Sequence, residues 1–209
     1  MLKKCLFIIM LLLFSSSLFA YEQGDTIFHI KGGYGFSLGR DVYVDATPEF
    51  ISTWNIGIAL EHFYQRLDSH PIFRVSTAMS FIGEVSYENR PLSYKSDYFG
   101  KVNHNFTYVT SALGFRVLFS DFFFIGTSLY WAMISGGNTT VDGESIGRLV
   151  DLRNDIGLFS DFGLYFQLSE SSNLSLFIRS MMGFVELQKG SRLYNNTVGT
   201  INLAYGFRF

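Results

Sequence analysis

The C-terminal segment alternates strictly between two kinds of side chain. One set is apolar or aromatic, and it consists of Phe209, Phe207, Tyr205, Leu203 and Ile201. The other set is small or polar, and it consists of Arg208, Gly206, Ala204, Asn202 and Thr200. Because side chains of a β-strand point alternately to opposite faces, this segment predicts a two-sided strand. An apolar terminal strand with a free edge invites aggregation, whereas a barrel removes the edge by pairing the last strand with the first.

Seven earlier segments alternate in the same way. With the closing strand at 196–209 they lie at 26–38, 50–64, 72–87, 105–119, 122–135, 154–168 and 174–187. Each exceeds the roughly 9–11 residues that a tilted strand needs to cross a bilayer. The connections alternate long and short, which places the long loops 39–49, 88–104, 136–153 and 188–195 on one side. The sequence therefore predicts an all-β, eight-stranded antiparallel up-and-down transmembrane β-barrel.

Aromatic residues recur at both ends of these segments, on the apolar face. Those near the short turns are Phe28, Tyr64, Phe73, Phe119, Phe123, Phe166 and Phe207. Those near the long loops are Phe36, Trp54, Tyr87, Trp131 and Phe184. Two aromatic girdles that flank an apolar band are typical of a barrel whose outer surface contacts lipid. A soluble barrel would instead place its apolar residues inside.

The first 20 residues predict a cleaved secretory signal peptide, followed by a barrel domain at 21–209. Lys3 and Lys4 precede an apolar run that is too short for a membrane helix, and three serines at 15–17 lead to cleavage after Ala20, although Leu18 is larger than the residue usual at that position. Cys5 is the only cysteine, so we expect no disulfide in the mature chain. Loss of the two lysines leaves 14 basic against 18 acidic residues, which argues against nucleic acid as a partner.

Charged residues also occur on the predicted inner face of the barrel. They are His29, Lys31, Glu61, Arg74, Glu84, Arg116, Asp161, Arg179 and Arg208. Because an isolated charge in a narrow barrel is costly, we expect acid–arginine pairs inside. Counting from the turns pairs Glu61 with Arg74 and makes Asp161 and Arg179 diagonal neighbours, with Arg116 and Glu84 joining them. This network favours a salt-bridged plug over an open ion path, since eight strands enclose little space.

The terminal pattern resembles the C-terminal signature of bacterial outer-membrane β-barrels, and the whole predicted barrel resembles the OmpW, OmpX and OmpA barrel class. The resemblance implies location in the cell outer membrane. It implies contact with outer-membrane lipid and recognition by the barrel assembly machinery, with Tyr205, Phe207 and Phe209 as the assembly signal. OmpW-like members imply passage of small hydrophobic molecules, whereas OmpX- and opacity-like members imply adhesion or defence at the surface.

The resulting prediction is a non-enzymatic, porin-like barrel for passive passage of small molecules, including hydrophobic ones. A surface adhesion or defence barrel that binds a host surface through its loops, and a purely structural protein, are the alternatives. Catalysis is not favoured because no histidine has a serine two residues on, which leaves His62 beside Glu61 as the best acid–base candidate. Asp142, Glu144 and Asp151 fit no calcium-loop spacing. We expect no cofactor and no metal.

Overall fold

The computed structural model describes residues 22–40, 46–68, 75–98, 100–147, 153–185 and 194–209. It contains ten strands: β1 (Thr26–Arg40), β2 (Ala46–Leu67), β3 (Thr77–Asn89), β4 (Leu92–Ser96), β5 (Gly100–Phe119), β6 (Phe123–Val141), β7 (Glu144–Gly147), β8 (Asp155–Ser169), β9 (Ser172–Gly183) and β10 (Tyr194–Arg208). No helix in the described ranges is long and apolar enough to cross a membrane. The predicted signal peptide lies outside the described residues.

Eight of these strands form a closed antiparallel ring, in the order β1, β2, β3, β5, β6, β8, β9 and β10. The seam is the pairing of β10 with β1, which runs from Arg208 opposite Ile27 to Tyr194 opposite Arg40. The stagger of the barrel is found by following register partners from strand to strand. A path that starts at Thr26 of β1 and crosses all eight strands returns to β1 at Phe36. This stagger of ten residues gives the strands the tilt that closure requires. The predicted barrel and its seam are confirmed.

The two faces of the wall have opposite chemistry. On β5, Leu113 is 75% exposed whereas its neighbour Ala112 is 4% exposed. The same alternation continues round the ring, so that large apolar side chains cover the outside and polar or charged ones are buried inside. A surface of this kind, bounded by aromatic residues, is stable only against hydrocarbon. The fold is therefore a transmembrane barrel.

One of the predicted girdle residues does not lie in the girdle. Phe166 is buried rather than exposed to lipid, and its ring packs edge-on against Phe122 at 5.4 Å between centroids. The register of β8 and β9 shifts between Gln167 and Ser169, and this irregularity turns the end of β8 away from strict alternation. Phe73, another predicted girdle residue, lies outside the described residues.

The long loops contain more strand than the sequence predicted. β2 starts at Ala46 and β5 at Gly100, both inside predicted loops, and β4 pairs with both of them. β6 runs on to Val141, where an Asp-Gly turn leads into β7. Strands β2, β4, β5, β6 and β7 thus continue past the loop-side girdle as one sheet, which we call the extracellular sheet because the predicted orientation places the long loops outside.

The short turn between β5 and β6 is confirmed, and it has a specific support. Ser120 and Asp121 both have positive φ, at 51° and 57°, and the Phe122 amide donates to the Phe119 carbonyl at 3.1 Å. Two successive residues of positive φ are typical of a type I′ turn, which is more often formed by Asn-Gly, and the register places Phe119 opposite Phe123, so that three residues form the loop. Arg66 donates two hydrogen bonds to the Asp121 carboxylate, at 2.8 and 3.0 Å, and so holds the turn in place.

Candidate functional site

The barrel interior holds its charged residues in three groups along the axis. The group nearest the turns centres on Glu61 of β2. Its carboxylate lies 2.9 Å from His29 Nε2 and accepts hydrogen bonds from Ser80 at 2.5 Å and Tyr165 at 2.6 Å. Arg116 Nη1 donates to the same carboxylate at 3.4 Å. Since Glu61 is buried, these four partners replace the water that it loses on folding.

The middle group centres on Arg179 of β9. Its guanidinium binds Asp161 through two bonds of 2.7 Å, and it binds Glu84 through bonds of 2.5 and 2.9 Å. Lys31 Nζ lies 2.7 Å from Glu84, and Arg116 reaches Asp161 at 3.3 Å. Two-pronged binding of carboxylates by one guanidinium fixes orientation as well as distance. Arg179 of β9 is therefore connected to β8 through Asp161 and to β3 through Glu84, inside the barrel.

The group nearest the loops centres on Arg90, which follows β3. Arg90 Nε donates to Glu88 at 2.8 Å, Nη1 donates to Asp155 at 3.2 Å, and Nη2 donates to Thr110 at 2.9 Å. The Tyr130 hydroxyl donates to the same Asp155 oxygen at 2.5 Å. Arg90 is 1% exposed. It closes the loop-side end of the interior as Glu61 and its partners close the turn side.

Aromatic and aliphatic side chains fill the space around these groups. A turn-side apolar cluster consists of Ile27, Phe63, Ala78, Leu118, Phe124, Tyr165, Phe177 and Ala204. A loop-side apolar cluster consists of Leu92, Phe106, Tyr108, Ala112, Tyr130, Ala132, Phe159, Met181 and Val198. The guanidinium carbons of Arg179 and Arg116 lie 4.2 Å and 4.6 Å above the rings of Phe159 and Phe124. Such contacts stabilise a cation that is out of water.

The described residues leave little free space between the Arg90 and Arg179 groups. A void between the Arg90 and Arg179 groups measures about 20 Å³ and is bounded by Glu88, Phe159 and Met181 among others. This is room for a single water molecule. Within the described residues, five buried carboxylates, Glu61, Glu84, Glu88, Asp155 and Asp161, face Lys31, Arg90, Arg116, Arg179 and His29. Nearly balanced charge and little free space favour a closed lumen over a conducting pore.

The structure brings together five of the six predicted network residues. Glu61, Glu84, Arg116, Asp161 and Arg179 form the linked groups described above. Arg74, the predicted partner of Glu61, lies outside the described residues; among the described residues Arg116 pairs with Glu61 as an ion pair and His29 lies within hydrogen-bonding distance of it. Asp161 and Arg179 are directly opposite in the register, not diagonal as predicted. The assembly-signal residues Tyr205, Phe207 and Phe209 lie exposed at the end of the seam, and their role in assembly stays a prediction.

Two parts of the interior were missed by sequence reasoning. The sequence predicts a loop at 88–104, which includes Glu88 and Arg90, because charged residues and Pro91 follow the apolar part of the third strand. The inner face was expected to be small and charged, yet Phe124, Phe159 and Phe177 point inward. Strand alternation could have predicted their position, because each of them is next to a lipid-facing residue in the sequence. The Asp142-Gly143 dipeptide was likewise an available hairpin signal for β6 and β7.

His104 lies in the extracellular sheet, above the membrane-spanning part of β5. Its Nδ1 is 2.8 Å from the Thr139 hydroxyl, its Nε2 is 3.3 Å from the Tyr94 hydroxyl, and its ring stacks on Phe106 at 5.8 Å. Burial lowers the pKa of His104 to about 4, because a charged imidazole would lose its water there. The neutral imidazole can donate to one hydroxyl and accept from the other.

We therefore expect the extracellular sheet to weaken as the pH falls from about 6.5 to about 4. In this range an unfolded His104 binds a proton and the folded one does not, so the native form loses about 2 kcal/mol at pH 5. Amide hydrogen exchange in β4 and in the first residues of β5 should report the loss. His104→Asn should remove most of the pH dependence between pH 7 and 5. An equally steep dependence in that variant would contradict the assignment.

Comparison with known proteins finds similar solved structures but no similar sequence. Neither a protein-family model nor a curated protein sequence matches it. Among solved structures it is similar to Ail, the attachment invasion locus protein of Yersinia pestis, in complex with the heparin analogue sucrose octasulfate. That match has 16% identity and a TM-score of 0.46, and it covers 90% of this chain and all of that one. Neisserial surface protein A matches with 11% identity, 87% and 97% coverage, and a TM-score of 0.44. The outer membrane protein OprG from Pseudomonas aeruginosa matches with 15% identity, 91% and 98% coverage, and a TM-score of 0.42.

Proposed function

We propose that the protein is a closed outer-membrane barrel that acts at the cell surface through its extracellular sheet, without catalysis. The observation that carries the proposal is the contrast between the two ends of the fold. The lumen is packed with ion pairs and aromatic rings, whereas β2 and β5, of 22 and 20 residues, run far beyond the membrane band. Strands of roughly 9–11 residues suffice to cross a bilayer, so the additional length serves what lies outside.

Passage of small molecules, the role that the sequence favoured, finds less support in this geometry. A molecule entering from the loop side would meet Arg90, then Arg179, and then the turn-side apolar cluster. The void between the first two of these obstacles holds about 20 Å³. Moving either guanidinium would separate it from buried carboxylates, which is costly in a narrow interior. The filled lumen therefore favours the alternative role of adhesion or defence.

The extracellular sheet offers a surface for such contacts. Tyr98, at the tip between β4 and β5, is 80% exposed, and Ile146 in β7 is 65% exposed. Exposed aromatic and aliphatic side chains among polar neighbours are common at protein contact surfaces. A partner at the host surface is the class of partner that this placement suits. Glu170, at the opposite end of the barrel, offers a matched position that no external partner can reach.

Two measurements test the proposal together. The purified barrel should give no steady conductance in planar bilayers. Cells that display the parent should bind epithelial cells or extracellular matrix more strongly than cells that display Tyr98→Ser/Ile146→Ser at the same surface level, and about tenfold is expected for two lost apolar contacts. Cells with Glu170→Ser should bind like the parent. A steady open-channel current would refute the closed lumen, and equal binding by all three would leave a purely structural role.

A further inference from the structure

A polar groove lies on the outer surface of the barrel, directly above the loop-side girdle. It measures about 290 Å³ and is lined by Ser52, Asn89, Asn103, Asn105, Asn138 and Thr140, with His104 and Pro91 behind them. Asn105 and Asn138 face each other across β5 and β6, and Asn103 faces Thr140 one step further out. Four asparagine side chains therefore converge on one small groove. Its volume is near the lower end for small-molecule sites.

The asparagines are held in position by bonds among themselves and their neighbours. Asn89 Nδ2 donates to Asn105 Oδ1 at 2.5 Å and to the Phe106 carbonyl at 3.2 Å. Ser93 Oγ donates to Asn103 Oδ1 at 2.7 Å. An amide has two donors and two acceptor lone pairs, so each of these groups keeps capacity for a ligand. Asn105 and Asn138 are exposed, and they present that capacity to the outside.

The groove continues the lipid-facing surface. The rings of Trp54 and Tyr87 pack at 5.7 Å in the girdle below it. Aromatic girdles lie at the level of lipid headgroups, so the groove opens sideways into the headgroup layer. Lys95 and Lys101 stand opposite each other at its upper end, where Lys101 also pairs with Glu49 at 2.7 Å.

We propose that this groove binds the sugar headgroup of a glycolipid in the outer leaflet. Paired amides and hydroxyls match vicinal sugar hydroxyls, which both donate and accept hydrogen bonds. Lys95 above them suits a phosphate or carboxylate group on such a headgroup, whereas the Lys101 ammonium is already paired with Glu49. The groove opens sideways, directly above the girdle, so the acyl chains of a glycolipid bound there would lie along the apolar wall of the barrel. This placement favours a lipid-linked sugar over a soluble one. Neither Tyr98 nor Ile146 lines this groove.

The test uses the full barrel in lipid nanodiscs that contain phosphatidylcholine, with or without rough lipopolysaccharide. Native mass spectrometry counts the lipopolysaccharide that stays bound on release from the disc. The parent should retain it, and Asn105→Leu/Asn138→Leu should retain about tenfold less, since two hydrogen-bonding side chains are lost. Asn154→Leu, at an exposed asparagine before β8 that does not line the groove, is the matched control and should behave like the parent. Heat-dependent gel mobility shows that each variant is folded.

The outcomes separate the possible ligands. Retention that falls in the double variant alone, and that free core oligosaccharide does not displace, supports the lipid-linked sugar. Displacement by free oligosaccharide at equal concentration would overturn the proposal in favour of a soluble glycan. Equal retention by the parent and the double variant would show that the groove takes no part. These results do not depend on adhesion to cells, so failure of the surface role and failure of this site can be told apart.

Discussion

Replacement of Arg179 by methionine should lower the free energy of unfolding by about 3–5 kcal/mol. Arg179 makes four bonds of 2.5 to 2.9 Å to Asp161 and Glu84, and all three side chains are buried. Methionine fills a similar volume but leaves two carboxylates without their main partner. Urea unfolding of the barrel in detergent micelles measures the change. The loss comes mostly from the orphaned carboxylates, because the pairs themselves first had to offset desolvation.

A second replacement distinguishes this explanation from simple loss of packing. In Arg179→Met/Asp161→Asn, Asp161 no longer carries a charge, and Glu84 keeps Lys31 at 2.7 Å. The double variant should therefore be more stable than the sum of the two single changes predicts. Lys101→Met, which breaks the exposed pair with Glu49, should cost less than about 1 kcal/mol. Strictly additive effects of Arg179 and Asp161 would contradict a coupled interior.

The sequence predicted the wall of the barrel well because the wall depends on a short-range rule. Alternation on each strand decides which side faces lipid, and that rule placed Glu61, Glu84, Arg116, Asp161 and Arg179 inside. It could not decide which acid meets which arginine. Arg179 reaches Glu84 on a strand far away in the chain because the ring closes with a stagger of ten residues, which no single turn reveals.

The extracellular end was harder to predict for a different reason. Glu88, Arg90 and Pro91 read as a loop because charge and proline follow a strand that has already crossed the membrane. In the structure that charge is buried: Arg90 is satisfied by Glu88 and by Asp155, which is distant in sequence. The cost of burying a guanidinium is offset only by these tertiary contacts. Local composition therefore predicts an exposed loop at a position where the charged side chains are buried inside the barrel.

Three successive phenylalanines, Phe122 to Phe124, provide the sharpest test of the interior packing. The three residues are identical in type, but the alternation of side chains along the strand places neighbouring residues on opposite faces of the wall. Phe123 faces lipid and packs edge-on against Phe162 at 4.5 Å, whereas Phe124 is 0% exposed inside the turn-side apolar cluster. The Phe124 ring contacts Tyr165 at 5.6 Å and Phe177 at 5.8 Å, and the Arg116 guanidinium carbon lies 4.6 Å above it.

Phe124→Ala should therefore destabilise the barrel by about 3–5 kcal/mol, the range found when a buried aromatic ring is replaced by a cavity. Arg116 also loses the ring that partly replaces its water, which weakens its bonds to Glu61 and Asp161. Phe123→Ala, one residue away on the lipid face, should cost about 1 kcal/mol, since detergent or lipid refills the space. Both are measured by urea unfolding in the same micelles. Equal costs at the two positions would mean that the interior is not packed around Phe124, and the closed lumen would lose its turn-side barrier.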